Sequence, residues 1–342
     1  MVELNGKKIL ITFLMHLGDL TLTTPFIHAL RKAAPDAHIT MLVDEKLKDV
    51  VLFNPYLDEV VTIDKKGRDN SILSLWACSR HLSKLDFDVL INLHPNERCS
   101  FIDAMTNVKL RTGTTHKIFK WFWDVFTPLD RSMHAADMYL DVLHQLGVQD
   151  LSNNGLEIFP GKEHFLEAEL FWQEQNITDQ DKLIGFNIGS AVPTKRWPPE
   201  RFAEVADIFA AKGYKTVFFG GPMDEEMVAE ATGYMQTRPI IATGHFAIGG
   251  LAAAMRRCCL IITNDSGPMH VAISQKVPIV AMYGPSNPKL YGPYTKDAVI
   301  VTAQPPCQGC VDGMKHSCDD LQCMTRMTVE QVVKAADTML NK

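Results

Sequence analysis

No apolar run comes near the roughly 18 residues that a membrane-spanning helix requires, so nothing in this chain reads as a transmembrane segment. Basic residues are not in excess: 34 Lys and Arg stand against 40 Asp and Glu, a net charge of −6. That balance excludes the positively charged footprint of a general DNA or RNA binder, and no nucleic-acid partner is expected. The dinucleotide fingerprint Gly-x-Gly-x-x-Gly is absent, and so is a phosphate loop ending in Gly-Lys-Ser/Thr. There is no Asp-x-Asp motif suited to a divalent cation, no repeat of solenoid period and no low-complexity stretch. Lys7 and Lys8 ahead of Ile9–Met15 resemble the start of a secretory leader. The run is short, however, His16 and Asp19 interrupt it, and no small-residue cleavage site follows. It reads as a first β-strand in a cytoplasmic chain, whose cysteines are then thiols or metal ligands because that compartment is reducing.

What is present is an ordinary globular composition, 46% hydrophobic and 22% charged over 342 residues. That length predicts two domains, each able to bury a core without staples. Continuous apolar runs at Lys8–Leu14, His38–Val43, Glu59–Ile63 and Phe87–Leu93 alternate with helical patterns at Pro25–Ala34, Ser71–Lys84 and Ala135–Leu146. This is the pattern of βαβ units around a parallel sheet. It stalls over Gly147–Gly161, a polar linker composition. A second series follows, with strands at Leu183–Ile188, Thr216–Phe219, Leu260–Thr263 and Ile279–Tyr283. Helices are expected at Pro199–Lys212, Asp224–Gln236, Ile248–Arg257 and Gly267–Gln275. The expected organisation is α/β, with residues 1–160 and 161–327 as two Rossmann-like domains and 328–342 as a terminal helix capped by Thr328. A cleft between the domains is the default ligand site.

The chemistry-bearing residues follow strands, where open α/β sheets bind ligands. The first strand runs into Gly18-Asp19. The glycine permits close backbone approach, and the carboxylate can serve either as a general base on a hydroxyl or as a helix-capping group. His94-Pro95-Asn96-Glu97-Arg98 ends another strand and is either a candidate acceptor-binding turn or a plain loop. Leu183–Ile188 leads into Gly189-Ser190 and then Lys195-Arg196-Trp197-Pro198; Lys195 is a compact charge suited to phosphate. Leu260–Thr263 leads into Asn264-Asp265-Ser266-Gly267-Pro268-Met269-His270, where a helix N-terminus offers an anion site, although Asp265 and Ser266 are also common caps. Gly220-Gly221-Pro222-Met223-Asp224 supplies an acid for ribose hydroxyls or for a helix first turn. Three such turns in one half suggest a nucleotide diphosphate, met by Lys195 and helix N-termini instead of a metal ion.

Together these motifs resemble glycosyltransferase family 9, the bacterial heptosyltransferases of lipopolysaccharide core assembly, over almost the whole chain. Leu17-Gly18-Asp19 with the following Thr-Pro helix is similar to that family's opening motif. Gly189–Pro198 is similar to its Lys-x-Trp-Pro loop, Asp265–His270 to its Asp-Ser/Thr-Gly/Ala-x-x-His signature, and Tyr283-Gly284-Pro285-Ser286 to its Gly-Pro/Ala-Ser/Thr turn. The resemblance implies a GT-B fold, two Rossmann-like domains facing across a cleft, with the last helix crossing back toward the first. It implies inverting, metal-independent transfer from a nucleotide sugar, usually ADP-heptose, to a glycolipid acceptor, with transient contact at the inner-membrane surface. Asp19 would be the base, and Gly18, His94 and Asn96 would lie on the acceptor side. Lys195 and Ser190, with Gly189, would meet the donor phosphates, Asp224 the ribose, and the backbone near Phe246 the nucleobase. Asp265, Ser266 and Gly267 would hold the diphosphate, with His270 beside them. Family members often carry a basic residue just before the Gly-Asp turn; here Phe13, Leu14, Met15 and His16 occupy those positions.

Cys307, Cys310, Cys318 and Cys323 have spacings that suit a structural Zn or Fe clip. Trp121-Phe122-Trp123 with Lys117 and Lys120 forms an aromatic and basic stretch that suits either a membrane surface or ordinary packing. Competing functional readings are transfer to a protein or another glycan, a GT-B sugar-nucleotide epimerase, and a non-catalytic nucleotide-sugar-binding protein.

Overall fold

The computed structural model describes residues 2–303, 318 and 320–342, and these form two compact units, Met1–Phe159 and Pro160–Lys342. The first is built on β1 (Lys8–Thr12), β2 (His38–Asp44), β3 (Glu59–Ile63), β4 (Phe87–Asn92), β5 (Val108–Gly113) and β6 (Val125–Phe126). The order is β3-β2-β1-β4-β5-β6, and every pairing is parallel. The second is built on β7 (Leu183–Asn187), β8 (Lys215–Phe219), β9 (Ile240–Ile241), β10 (Cys258–Asn264), β11 (Ile279–Met282) and β12 (Ala298–Val301). Its order, β12-β11-β10-β7-β8-β9, is also all parallel. Each unit thus has the doubly wound Rossmann order. The direction of winding reverses between β1 and β4 in one and between β7 and β10 in the other, which opens a crevice at those carboxyl ends.

The central strands are apolar throughout because helices cover both faces. Ile9–Ile11, Met41–Val43, Phe186 and Leu260–Ile262 are buried. In the second core Phe186 stacks on Phe218 with ring centroids 5.2 Å apart, and Trp197 meets Phe202 edge-on at 5.1 Å. Strand β5, between β4 and the two-residue β6, is partly exposed and carries Lys109 and Arg111 between its apolar residues, so it has no continuous apolar run. The helix Glu97–Met105 shows little amphipathic pattern because its inner face buries Ser100 and Asp103 beside Cys99 and Ile102. The tripeptide Asp86-Phe87-Asp88 begins β4 at the end away from the crevice, and Asp88 there pairs with Lys109 at 2.7 Å.

The terminal helix Val329–Leu340 is opened by a capping box: Thr328 accepts from the Gln331 amide at 3.2 Å and Gln331 Oε1 from the Thr328 amide at 2.9 Å. The resemblance led us to expect this helix to cross back toward the first domain. Its apolar side, Val332, Ala335, Ala336 and Met339, belongs to the core of the second unit, packed on β10, β11, β12 and the helix Pro199–Ala211. No helix among the described residues is long and apolar enough to cross a membrane.

Gly113 closes β5 with φ +92°, and a Cβ there would run into the Asn92 carbonyl and amide. Gly113→Ala is expected to destabilise the chain by about 2 kcal/mol or more, from positive φ and backbone overlap combined. An unchanged urea midpoint would contradict that.

Candidate functional site

In the second unit, side chains tie the β7 and β10 loops to one another. Asn187, last in β7, donates from Nδ2 to Thr263 Oγ1 at 3.0 Å and to Ser266 Oγ at 2.8 Å. Asn264, last in β10, donates to the Ile188 carbonyl at 2.7 Å and accepts from the Trp197 amide at 3.1 Å. Trp197 is fully buried, and its indole N–H donates to the Met327 carbonyl at 3.1 Å. The Gly189–Arg196 loop is therefore held at both ends. Within it Lys195 Nζ pairs with Asp265 Oδ2 at 2.7 Å, with both side chains largely buried, and Ser286 Oγ donates to the same carboxylate oxygen. Ser190 Oγ reaches the Asp265 carbonyl at 3.5 Å, and Arg196 Nε donates to the Ser190 carbonyl at 2.8 Å.

This crevice collects most of the donor-side residues expected from the sequence. Ser266 precedes the helix Gly267–Ser274 without capping it by its side chain, since its hydroxyl is engaged by Asn187. His270 is buried in that helix. Asp224 accepts from the Gly221 amide at 2.9 Å, and its carboxylate lies where a Cβ on Gly189 would be, so position 189 tolerates no side chain without moving Asp224. The Phe246 ring packs edge-on against Phe171 at 5.0 Å. The Asp265 carboxylate faces Lys195, so it orients that cation by charge.

In the first unit, β1 is followed by Phe13–His16 and the short helix Leu17–Thr21, which carries Gly18 and a half-buried Asp19 in its first turn. The sequence offers no cation in that loop; Lys65, just after β3, provides it. Its Nζ donates to the Leu14 and Met15 carbonyls at 2.7 and 2.9 Å and pairs with Asp44 at 3.1 Å. Arg98 donates to the Lys65 carbonyl and to Asn70 Oδ1, the latter at 2.6 Å. A cavity of about 670 Å³ lies here, lined among others by His16, Lys65, Lys66, His94, Arg98 and His116. Asn96 also lines it, but its side-chain oxygen is committed as the cap of Glu97–Met105, accepting from the Cys99 amide at 2.7 Å. Gly18 and Asp19 sit beyond His16, outside that lining. Burial, with Lys65 and His16 nearby, pushes the His94 imidazole down to about 4, so it is neutral at neutral pH. Its Nδ1 is buried with no hydrogen-bond partner among the described residues. Sequence reasoning missed Lys65 and His116, whereas Arg98 stood in the candidate turn His94–Arg98; the one available signal for Lys65 was the Lys65-Lys66 pair shortly after a strand.

Of the four clustered cysteines, Cys307 and Cys310 lie outside the described residues. Cys318 Sγ donates to the Asp320 carbonyl at 3.3 Å, and Cys323 is buried in the second core. Among the described residues no group of His, Cys, Asp and Glu is arranged to hold a metal ion. Trp123 does not join Trp121 on the surface: it is buried, and its indole N–H donates to the Thr112 carbonyl at 3.0 Å.

Two Rossmann units with these crevices define a GT-B glycosyltransferase fold, and the comparisons with known proteins agree. Residues 75–318 match the model of glycosyltransferase family 9 (heptosyltransferase), and the chain belongs to that family. A crystal structure of a family 9 glycosyl transferase from Veillonella parvula DSM 2008 is 53% identical, with a TM-score of 0.95 and 99% of each chain covered. Lipopolysaccharide heptosyltransferase 3 of Escherichia coli K12 is 24% identical over 297 residues, 82% of this chain and 84% of that protein. The fold is shared with the ADP-heptose lipopolysaccharide heptosyltransferase II of E. coli, at TM-score 0.83 and 21% identity over 98% of both chains.

Beneath the first crevice, Asp103 is fully buried and accepts from Thr12 Oγ1 at 2.9 Å; burial pushes its carboxyl up from 3.8 to about 8. The folded chain therefore keeps a proton that the unfolded chain releases, and stability falls as pH rises between those two values. Asp103→Asn keeps the acceptor for Thr12 and removes the titration. Over about pH 5 to 7.5 the wild type is expected to lose stability relative to this variant by up to about 1.4 kcal/mol per pH unit. Parallel stability–pH curves for the two proteins would contradict the assignment.

Proposed function

We propose that this glycosyltransferase moves heptose from ADP-heptose to a lipopolysaccharide core acceptor, with inversion at the anomeric carbon and no metal ion as a partner. Heptose and ADP are taken from the names of the relatives. The observation that carries the chemistry is the buried Lys195–Asp265 pair at 2.7 Å, set at the switch point of the second unit. In this reading Asp265 orients Lys195 toward the donor diphosphate. Gly189 and Ser190 let the backbone approach the phosphates, and Ser266 and Gly267 present the helix N-terminus to them. Asp224 takes the ribose, the backbone near Phe246 the base, and His270 supports the diphosphate turn.

On the acceptor side Asp19 removes the proton of the attacking hydroxyl. The hydroxyl oxygen forms the new bond to the anomeric carbon from the face opposite the diphosphate. The old C–O bond breaks, and its electron pair leaves on the diphosphate, where Lys195 and the helix dipole meet the growing charge. Gly18 gives the turn its close approach. Neutral His94 and Asn96 offer polar contacts, and Lys65, Arg98 and His116 suit the carboxylates or phosphates of an anionic core sugar. A lipid-linked acceptor places the enzyme at the cytoplasmic surface of the inner membrane.

Asp19→Asn, which keeps the shape and loses the base, is expected to lower turnover by about 100-fold to 10,000-fold while ADP still binds in calorimetry. Near-wild-type turnover would overturn the base assignment. Failure of the wild type to release ADP from ADP-heptose when core acceptor is added would overturn the reaction itself.

A further inference from the structure

Exposed apolar side chains of the first unit gather beside the basic cavity. Ile72, Leu73 and Trp76 project from the start of the helix Ile72–Ser83, with Leu73 78% exposed. Ile118, Trp121 and Phe122 project from the turn Lys117–Phe122, with Trp121 94% exposed. Each group begins two residues after a residue of the cavity wall, Asn70 in one case and His116 in the other. The helix Glu97–Met105 contacts both segments, and its Phe101 meets Phe119 edge-on at 6.3 Å. Both apolar groups therefore adjoin segments that line the one basic cavity and pack on the same helix.

Isolated exposed apolar residues are ordinary, but two clusters beside one cavity mark an interaction surface. Charge narrows the partner. Lys66, Arg68, Lys117 and Lys120 are all exposed here, in a chain whose net charge is −6. Arg68 is engaged by Glu45 at 2.9 Å and Asp69 at 3.3 Å, and Glu97 pairs with His116 at 3.8 Å, so Lys66, Lys117 and Lys120 carry the positive charge of this face. Lys120 Nζ lies 4.4 Å over the Phe126 ring, keeping a cation among the aromatics. Tryptophan and leucine interleaved with lysine on an exposed rim suit the headgroup boundary of an anionic bilayer.

We infer that the Ile72–Trp76 and Ile118–Phe122 segments dock the first unit on a bilayer bearing anionic headgroups, with the basic cavity opening toward that surface. This rests on the reading of the acceptor as lipid-linked for its purpose, but vesicle binding is measured without any sugar substrate. The full chain is sedimented with vesicles of phosphatidylglycerol and phosphatidylethanolamine, and with vesicles of phosphatidylcholine alone. Partition onto the anionic vesicles is expected to be at least about tenfold stronger and to weaken with salt. Leu73→Ser with Trp121→Ser, and separately Lys117→Glu with Lys120→Glu, should each reduce it about tenfold or more. Both double variants should release ADP at the wild-type rate with a delipidated, water-soluble acceptor. The inference is overturned if the wild type stays in the supernatant with anionic vesicles at low salt, or if both double variants bind like wild type. Binding without ADP release would sink the transfer reading alone; ADP release without binding would sink the docking face alone.

Discussion

The ion pair between Lys195 and Asp265 is the constraint around which the second unit's crevice is arranged. Two charges taken largely out of water bring little net stability, and removing one leaves the other uncompensated. Such a pair is poor evidence for a fold and better evidence for a cation held ready. It also needs two loops from different strands to stay in register. Asn264 meets that need by holding the Ile188 carbonyl and the Trp197 amide at once, and Asn187 by spanning Thr263 and Ser266. Trp197 carries the restraint on to Met327, just ahead of the terminal helix, so that helix braces the loop that bears Lys195.

The two crevices share one topology and differ in chemistry. The second concentrates a lysine, a helix N-terminus and small residues, a set suited to a diphosphate. The first carries a half-buried acid in a helix first turn and, separately, a cavity lined by basic side chains, with a neutral histidine in its wall and a protonated carboxyl beneath. Neutral His94 and Asp103 add no charge there, and Lys65, already paired with Asp44, holds the Leu14 and Met15 carbonyls while Arg98 brings a second cation to the wall.

Much of this was legible in the sequence because both sheets are parallel and covered on both faces. β1, β2, β4, β7 and β10 are dominated by buried apolar residues, and the turns after β1, β7 and β10 hold Asp19, Lys195 and Asp265. What escaped notice is what tertiary structure alone decides. β5 alternates charged with apolar residues, and β6 and β9 have two residues each, too few for any period. The helix Glu97–Met105 turns polar side chains inward, hiding its amphipathic signal. Lys65 reaches the Leu14 and Met15 carbonyls from fifty residues away. Asn187 and Asn264 read as strand ends, and only the fold reveals them as ties. For the terminal helix, an amphipathic face states that it will be buried, not against what.

The central claim is that Asp265 acts on the donor through Lys195. A double-mutant cycle on ADP binding by calorimetry, with Asp265→Asn, Lys195→Met and the pair, tests it directly. Asp265→Asn alone should weaken ADP about tenfold, and in the Lys195→Met background it should add less than about twofold, a coupling on the order of 1 kcal/mol. Two effects that simply add would show that the residues act independently, and the account would fail.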